Sequence, residues 1–127
     1  MDDTRKVLVV DDSRVSRLMS RQFILSLRPG WQVEEAATGE DALQRVSEYT
    51  PDLVLMDVNM PGMGGLAAAE KLRQLHPDCR ITLLTANVQD ATRNKAIALG
   101  VGFVEKPITE ARIREVVDSL GSQPCST

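Results

Sequence analysis

Pro51-Asp52-Leu53-Val54-Leu55-Met56-Asp57, followed by Val58-Asn59-Met60-Pro61-Gly62, decides how this chain folds. The apolar run from Leu53 to Met56 is continuous rather than alternating, the pattern of a strand buried on both faces of a sheet. It ends on a carboxylate. A charged group cannot stay in such an interior without a partner, so Asp57 belongs where the strand reaches the surface. In an open parallel sheet ligands bind at the carboxyl ends of the strands, which puts Asp57 in position to do chemistry.

Outward from that strand, the pattern repeats. Residues 7–10 form a β-branched and aliphatic run closed by Asp11-Asp12-Ser13, which also offers a helix N-cap. Residues 31–36 alternate partly, as an edge-side strand does, and residues 80–85 and 101–105 read as two further strands. Helical spacing follows each strand. It runs over residues 14–27 and from Thr38, where Asp41 nearly completes a capping box, to Tyr49, with Ala42, Leu43, Val46 and Tyr49 on one side. It continues over residues 66–75 and over residues 89–99, with Ala91, Ala96 and Ile97 facing in and Gly100 as the stop. A last helix starts at Thr109, with Ile113, Val116, Val117 and Leu120 on one face, and residues 121–127 are a short polar tail. Gly62, Gly64 and Gly65 read as turn glycines. Such alternation demands an α/β fold, a parallel sheet covered on both faces with right-handed crossovers. Five units are too few for a closed eight-fold barrel, so an open, doubly wound five-stranded sheet remains.

At 127 residues the chain is expected to be one domain, with a core at about residues 6–120. A net charge of −3 with both signs interspersed carries no basic stripe, so no nucleic-acid partner is expected. Cys79 and Cys125 form no metal-binding spacing, and the charged start leads straight into a short strand, unlike a signal peptide or a membrane span. A cytoplasmic protein without membrane contact is the expectation. Neither Gly-x-Gly-x-x-Gly nor Gly-Lys-Ser/Thr occurs, so the usual nucleotide cradles are absent.

The strand ends are informative together. They carry Asp11 and Asp12, Asp57, Thr85 and Lys106. If the order is 2-1-3-4-5, the carboxylates meet at the switch point of the winding, with Thr85 and Lys106 on the next strands. Like charges in one cleft repel unless something offsets them, and Mg2+ does so with carboxylate and water ligands. With Lys106 opposite, such a pocket suits a phosphoryl group, and a carboxylate is a competent nucleophile for it.

Val9-Val10-Asp11-Asp12-Ser13, Met56-Asp57-Val58-Asn59-Met60-Pro61-Gly62-Met63, Leu84-Thr85-Ala86 and Glu105-Lys106-Pro107 resemble the receiver domain of bacterial two-component response regulators, from about Lys6 to Leu120. That resemblance implies the flavodoxin-like order 2-1-3-4-5, shared with the chemotaxis receivers. It implies that Asp57 accepts a phosphoryl group from a phosphohistidine on a sensor histidine kinase or histidine phosphotransfer protein. Asp12, Asp57 and the backbone carbonyl of Asn59 would ligate Mg2+, with Asp11 acting through water. Lys106 would pair with the phosphoryl oxygens, Thr85 would move towards them, and Phe103 would be the switch aromatic. The outcome would be altered contacts with a downstream protein, or phosphorylation-dependent pairing of two copies. Such a module is no enzyme beyond catalysing its own phosphorylation and dephosphorylation. Phe103 lacks the hydroxyl that many members carry there, and Gly64 replaces a frequent acidic cap. Asn59 and Asn87 are neutral where the family tunes phosphoryl lifetime, and Trp31 is too remote to report on Asp57.

Two other activities share parts of this pattern. A haloacid-dehalogenase-type phosphatase also uses an aspartyl nucleophile with Mg2+, but would want Asp-x-Asp after the first strand. A flavin binder would want a Ser/Thr-rich first loop. The tail after Leu120 is too short for an output domain, pointing to a single-domain regulator, although a receiver from a larger hybrid kinase would look the same.

The helix over residues 14–27 spreads its apolar residues over an arc of roughly 200° at about 100° per residue. Met19, Phe23 and Leu27 make one edge, and Val15, Leu18 and Leu25 the other. A deeply wedged helix and a partner-docking surface both fit, and the resemblance favours docking of the histidine donor. Substituting Leu18 by Asp is expected to slow phosphotransfer from that donor while sparing reaction with a small acyl phosphate. Equal loss of both rates would refute the docking role.

Overall fold

Leu53 and Leu55 point to one side of the central strand, Val54 and Met56 to the other, and all four are fully buried in the computed structural model. Each contributes about 1.5–3 kcal/mol by leaving water. The structure describes residues 5–58, 64–77, 79–85, 90–106 and 108–122. Strands and helices alternate as β1 (Lys6–Val10), α1 (Arg14–Leu27), β2 (Gln32–Ala36), α2 (Gly39–Tyr49), β3 (Leu53–Asp57), α3 (Gly65–Leu75), β4 (Arg80–Thr85), α4 (Asp90–Leu99), β5 (Gly102–Glu105) and α5 (Glu110–Ser122). All strand pairs are parallel, in the order β2-β1-β3-β4-β5.

The period-two alternation of the strands builds two cores. Val7, Val9, Leu53, Leu55 and Leu84 pack with Ile24 of α1 and with Ile113, Val116 and Val117 of α5. Leu8, Val10, Val54, Met56, Ile81 and Leu83 pack with Ala42 and Val46 of α2, Ala68, Ala69 and Leu72 of α3, and Ala96 of α4. The edge strand β2 alternates as expected, with Val33 and Ala36 buried and Gln32 and Glu34 exposed. Among the described residues no helix is long and apolar enough to cross a membrane.

The helix starts follow their caps. Ser13 Oγ accepts from Ser16 N at 3.3 Å, Thr38 Oγ1 from Asp41 N at 3.0 Å, and Thr109 Oγ1 from Arg112 N at 3.2 Å. Gly64, with no side chain, leaves the start of α3 without a side-chain cap, as expected, and its φ of 80° with ψ of 159° is a conformation restricted to glycine. An acidic residue there would gain a cap and lose its backbone geometry.

Several side chains depart from expectation. Ile24, which neither edge of the expected apolar arc includes, anchors α1 in the core, while Phe23, Leu25 and Leu27 are partly buried around it. Val15, Leu18 and Met19 are exposed at the N-terminal half of the helix, so the apolar arc divides along the axis more than around it. Ile97 is 65% exposed although Ala96 is buried, because adjacent helical residues diverge by about 100° and only one can face the sheet. The last helix continues through Ser122, two residues into the expected tail. The side chains of Ala91 and Leu120, and all of Cys125, lie outside the described residues. Cys79 is a buried free thiol, pushed up to about 11 chiefly by burial, which keeps it neutral and inert.

Tyr49 closes α2 with its hydroxyl buried and lacking a hydrogen-bond partner among the described residues, while Lys6 Nζ lies 5.5 Å from its ring centroid. Burial first, then the charges of Glu34 and Asp52, push its hydroxyl up to about 12. The folded protein therefore holds this proton more tightly than the unfolded chain. That contribution to stability is fully present below the ordinary tyrosine value near pH 10 and is lost as pH rises through about 12. Tyr49→Phe keeps the ring and is expected to stabilise the fold by about 1 kcal/mol at neutral pH. In urea titrations from pH 8 upwards, the variant should lack the part of the alkaline stability loss that Tyr49 ionisation causes.

Candidate functional site

The register of the sheet brings the polar strand ends level. Val10 pairs with Met56, so Asp11 continues β1 beside Asp57; Asp57 pairs with Leu84, one residue before Thr85; Thr85 pairs with Glu105, one residue before Lys106. Lys106 N donates to Thr85 O at 2.7 Å, which carries the ladder to the edge of the cleft.

One carboxylate oxygen each from Asp11, Asp12 and Asp57 lies within 4.8 Å of the others. Asp11 is 1% and Asp57 4% exposed, whereas Asp12 opens to solvent. Lys106 Nζ lies 3.3 Å from Asp11 Oδ2 and 3.4 Å from Asp57 Oδ1, so one ammonium faces both buried carboxylates. Asp11 Oδ1 also accepts from Ser13 N at 2.9 Å, fixing the turn into α1. Three hard oxygen donors at the ends of two neighbouring strands, with a net excess of negative charge over Lys106, suit a small divalent cation that keeps several waters. The donor set fits Mg2+.

Thr85 is 2% exposed at the end of β4. Phe103 is half-buried against the core under α4, and the Arg93 guanidinium lies 5.5 Å from its ring centroid. The structure thus gathers Asp11, Asp12, Asp57 and Lys106 in one cleft, with Thr85 at its margin and Phe103 two residues down the neighbouring strand from Glu105. Asn59 and Asn87 lie outside the described residues. Val15 is 66% and Leu18 46% exposed on the helix beginning beside the cleft, whereas Leu25 lies against the core near the other end of that helix.

Sequence reading missed two supports of the site. Arg17 donates from Nη1 to Asp11 O at 2.6 Å and from Nε to Glu35 Oε1 at 3.0 Å. Gly65 is not a turn glycine but the buried first residue of α3, its N donating to Val58 O at 3.1 Å. A Cβ at Gly65 would run into Asp57 O and come within 2.8 Å of Val58 Cα. Neither role has a local sequence signal, because each depends on how a helix packs against the strand end beside it.

The family model for the response regulator receiver domain matches residues 7–118. The chain is 32% identical over 118 residues to the chemotaxis protein CheY of Thermotoga maritima, covering 91% of this chain and 97% of that protein. It is 36% identical over 116 residues to the response regulator GacA of Pseudomonas syringae pv. syringae, covering 91% of this chain and 53% of GacA. The chain therefore spans about half the length of this relative. Its backbone superposes on the chemotaxis protein CheY4 of Vibrio cholerae with a TM-score of 0.84 at 28% identity, covering 92% of this chain and 98% of that one.

Because the atoms facing Gly65 are main chain, they cannot swing aside. Gly65→Ala is expected to lower the unfolding free energy by about 1–3 kcal/mol in urea denaturation. An unchanged midpoint would contradict the close approach.

Proposed function

The chain belongs to the response regulator receiver domains, signalling modules rather than conventional enzymes, and from that premise we propose that Asp57 is its phosphoacceptor. The observation that supports this most is the position of one carboxylate. Asp57 ends the central buried strand, 4% exposed, grouped with Asp11 and Asp12 and facing Lys106 Nζ at 3.4 Å. A solvated, unassisted carboxylate would have none of these features.

In the proposed reaction a phosphohistidine enters at the strand ends. An oxygen of Asp57 forms a bond to phosphorus as the phosphorus–nitrogen bond breaks, and the imidazole leaves with the electron pair. Asp11, Asp12 and Asp57, with the backbone carbonyl of Asn59, would hold Mg2+, Asp11 through water. The cation supplies charge neutralisation for the carboxylates and for the phosphoryl oxygens. Lys106 then exchanges its carboxylate partners for a phosphoryl oxygen, and later attack of water on phosphorus breaks the bond to the Asp57 oxygen, releasing inorganic phosphate and returning the free carboxylate. A histidine kinase or phosphotransfer protein is the donor, a cytoplasmic setting goes with it, and Val15 and Leu18 offer it an apolar contact, with the partly buried Leu25 at the far end of that surface.

Phosphorylation replaces the single negative charge of the Asp57 carboxylate with about 1.5 to 2 on the phosphoryl group and adds strong acceptor oxygens next to Thr85 and Lys106. Their binding energy biases a two-state equilibrium in which the Thr85 hydroxyl moves towards the phosphoryl group and Phe103 turns inward behind it. The surface of α4, β5 and α5 thereby changes for a downstream protein or a second copy of the chain. Phe103 offers that partner no hydroxyl.

Intact mass after incubation with Mg2+ and a small acyl phosphate tests the proposal. Wild type should gain the mass of one phosphoryl group and Asp57→Asn should gain none. Equal gain in both proteins would overturn the phosphoacceptor role of Asp57, whereas no gain in either with Mg2+ bound would point to a receiver that accepts only from its kinase or one that has kept the fold and lost the switch.

A further inference from the structure

Arg17 is the least exposed cation of α1 with a described ion pair, its side chain 16% exposed against 24% for its partner Glu35. Its placement follows from helix geometry. Side chains in a helix lean towards the N-terminus, so a residue in the second turn of α1 reaches back over the Ser13 cap to the end of β1. There Nη1 donates to the carbonyl of Asp11 at 2.6 Å, while Nε is held by Glu35 of β2 at 3.0 Å. Arg21 adds a second, longer contact to Glu35 at 3.4 Å. The guanidinium thus ties together three segments: the helix that carries it, the Asp11–Asp12 peptide just after β1, and the edge strand β2.

Resting on the receiver reading above, we infer that Arg17 is a positioning residue for the acidic cleft, orienting the Asp11–Asp12 peptide so that both carboxylates face Asp57. The Asp11 side chain is fixed from in front by Ser13 N at 2.9 Å and Lys106 at 3.3 Å. Its carbonyl is fixed from behind by Arg17. With both ends of the residue held, the peptide that leads into Asp12 has little freedom to turn. Asp12 itself is exposed, so its direction depends on the backbone that presents it. Only a planar fork can serve the carbonyl and the carboxylate at once; a lysine ammonium offers one point of charge.

The sign of the effect separates positioning from charge. Removing a cation close to a Mg2+ site should, by Coulomb attraction alone, tighten Mg2+ binding. Removing a positioning group should weaken it, and the usual loss for a group that orients metal ligands is about 10- to 100-fold. Arg28, the residue that caps the C-terminal end of α1, supplies a control: its Nη2 meets Asp118 of α5 at 2.6 Å, at the far end of the helix from the cleft.

Calorimetric titration of Mg2+ into the unphosphorylated protein, with thermal unfolding run in parallel, tests the inference. Arg17→Met should weaken Mg2+ binding about tenfold. Arg17→Lys, which keeps the charge, should weaken it as well, and it carries the same expectation if Arg17→Met does not fold. Arg28→Met should leave Mg2+ affinity at the wild-type value even where it lowers the unfolding temperature. With a small acyl phosphate, the Arg17 variants should need more Mg2+ for half-maximal phosphorylation and approach the wild-type rate at saturating Mg2+. Unchanged or tighter Mg2+ binding in the Arg17 variants, or equal weakening in Arg28→Met, would overturn the positioning role and leave the receiver reading intact. A wild-type protein that binds no Mg2+ overturns both.

Discussion

A single ammonium, that of Lys106, faces two carboxylates that are almost wholly removed from water. Burying each of those anions costs several kcal/mol unless a counter-charge meets it with good geometry. Lys106 follows β5, yet its partners follow β1 and end β3, so its stem must cross over the end of β4. That reach succeeds only while four neighbouring strands end at the same level. The order of the sheet, its register, and the small turn after Asp11 are all conditions for this one contact.

Around that contact the molecule divides the work between charge and shape. Lys106 neutralises from the open side of the cleft, while Arg17 and Gly65 act on main chain, one by donating to the carbonyl of Asp11 and the other by leaving room for the carbonyl of Asp57. Side-chain electrostatics set what the cleft can bind. Backbone contacts set how rigidly it is presented.

Much of this was legible in the chain. The unbroken run Leu53 to Met56, its terminal Asp57, the Asp11-Asp12 pair and Lys106 announce a buried central strand and a charged rim, and strands and helices recur with few residues between them. Caps at Thr38 and Thr109 are local chemistry and read correctly. What stayed hidden depends on tertiary contact. Ile24 and Leu25 are equivalent as hydrophobes, and only the axis of α1 over the sheet decides which is buried. Ile97 has the hydropathy of a core residue and the azimuth of a surface one. Arg17 reads as a solvated helix cation until Glu35, 18 residues away, is placed beside it. Gly65 resembles its neighbour Gly64, but one is required by its φ and the other by the approach of Asp57 O.

The alternation that builds the two cores continues past the strand ends. Asp57 has the parity of Leu53 and Leu55, and Lys106 that of Val104, on the side covered by α1 and α5. Thr85 has the parity of Ile81 and Leu83, and shares with Phe103 the side covered by α4. The sheet is therefore a partition with the ion cluster on one side and the proposed switch pair on the other. On the receiver reading, a signal taken up beside α1 crosses β4 to reach the Thr85–Phe103 pair under α4. The distance from reception to response is then the thickness of one layer of polypeptide.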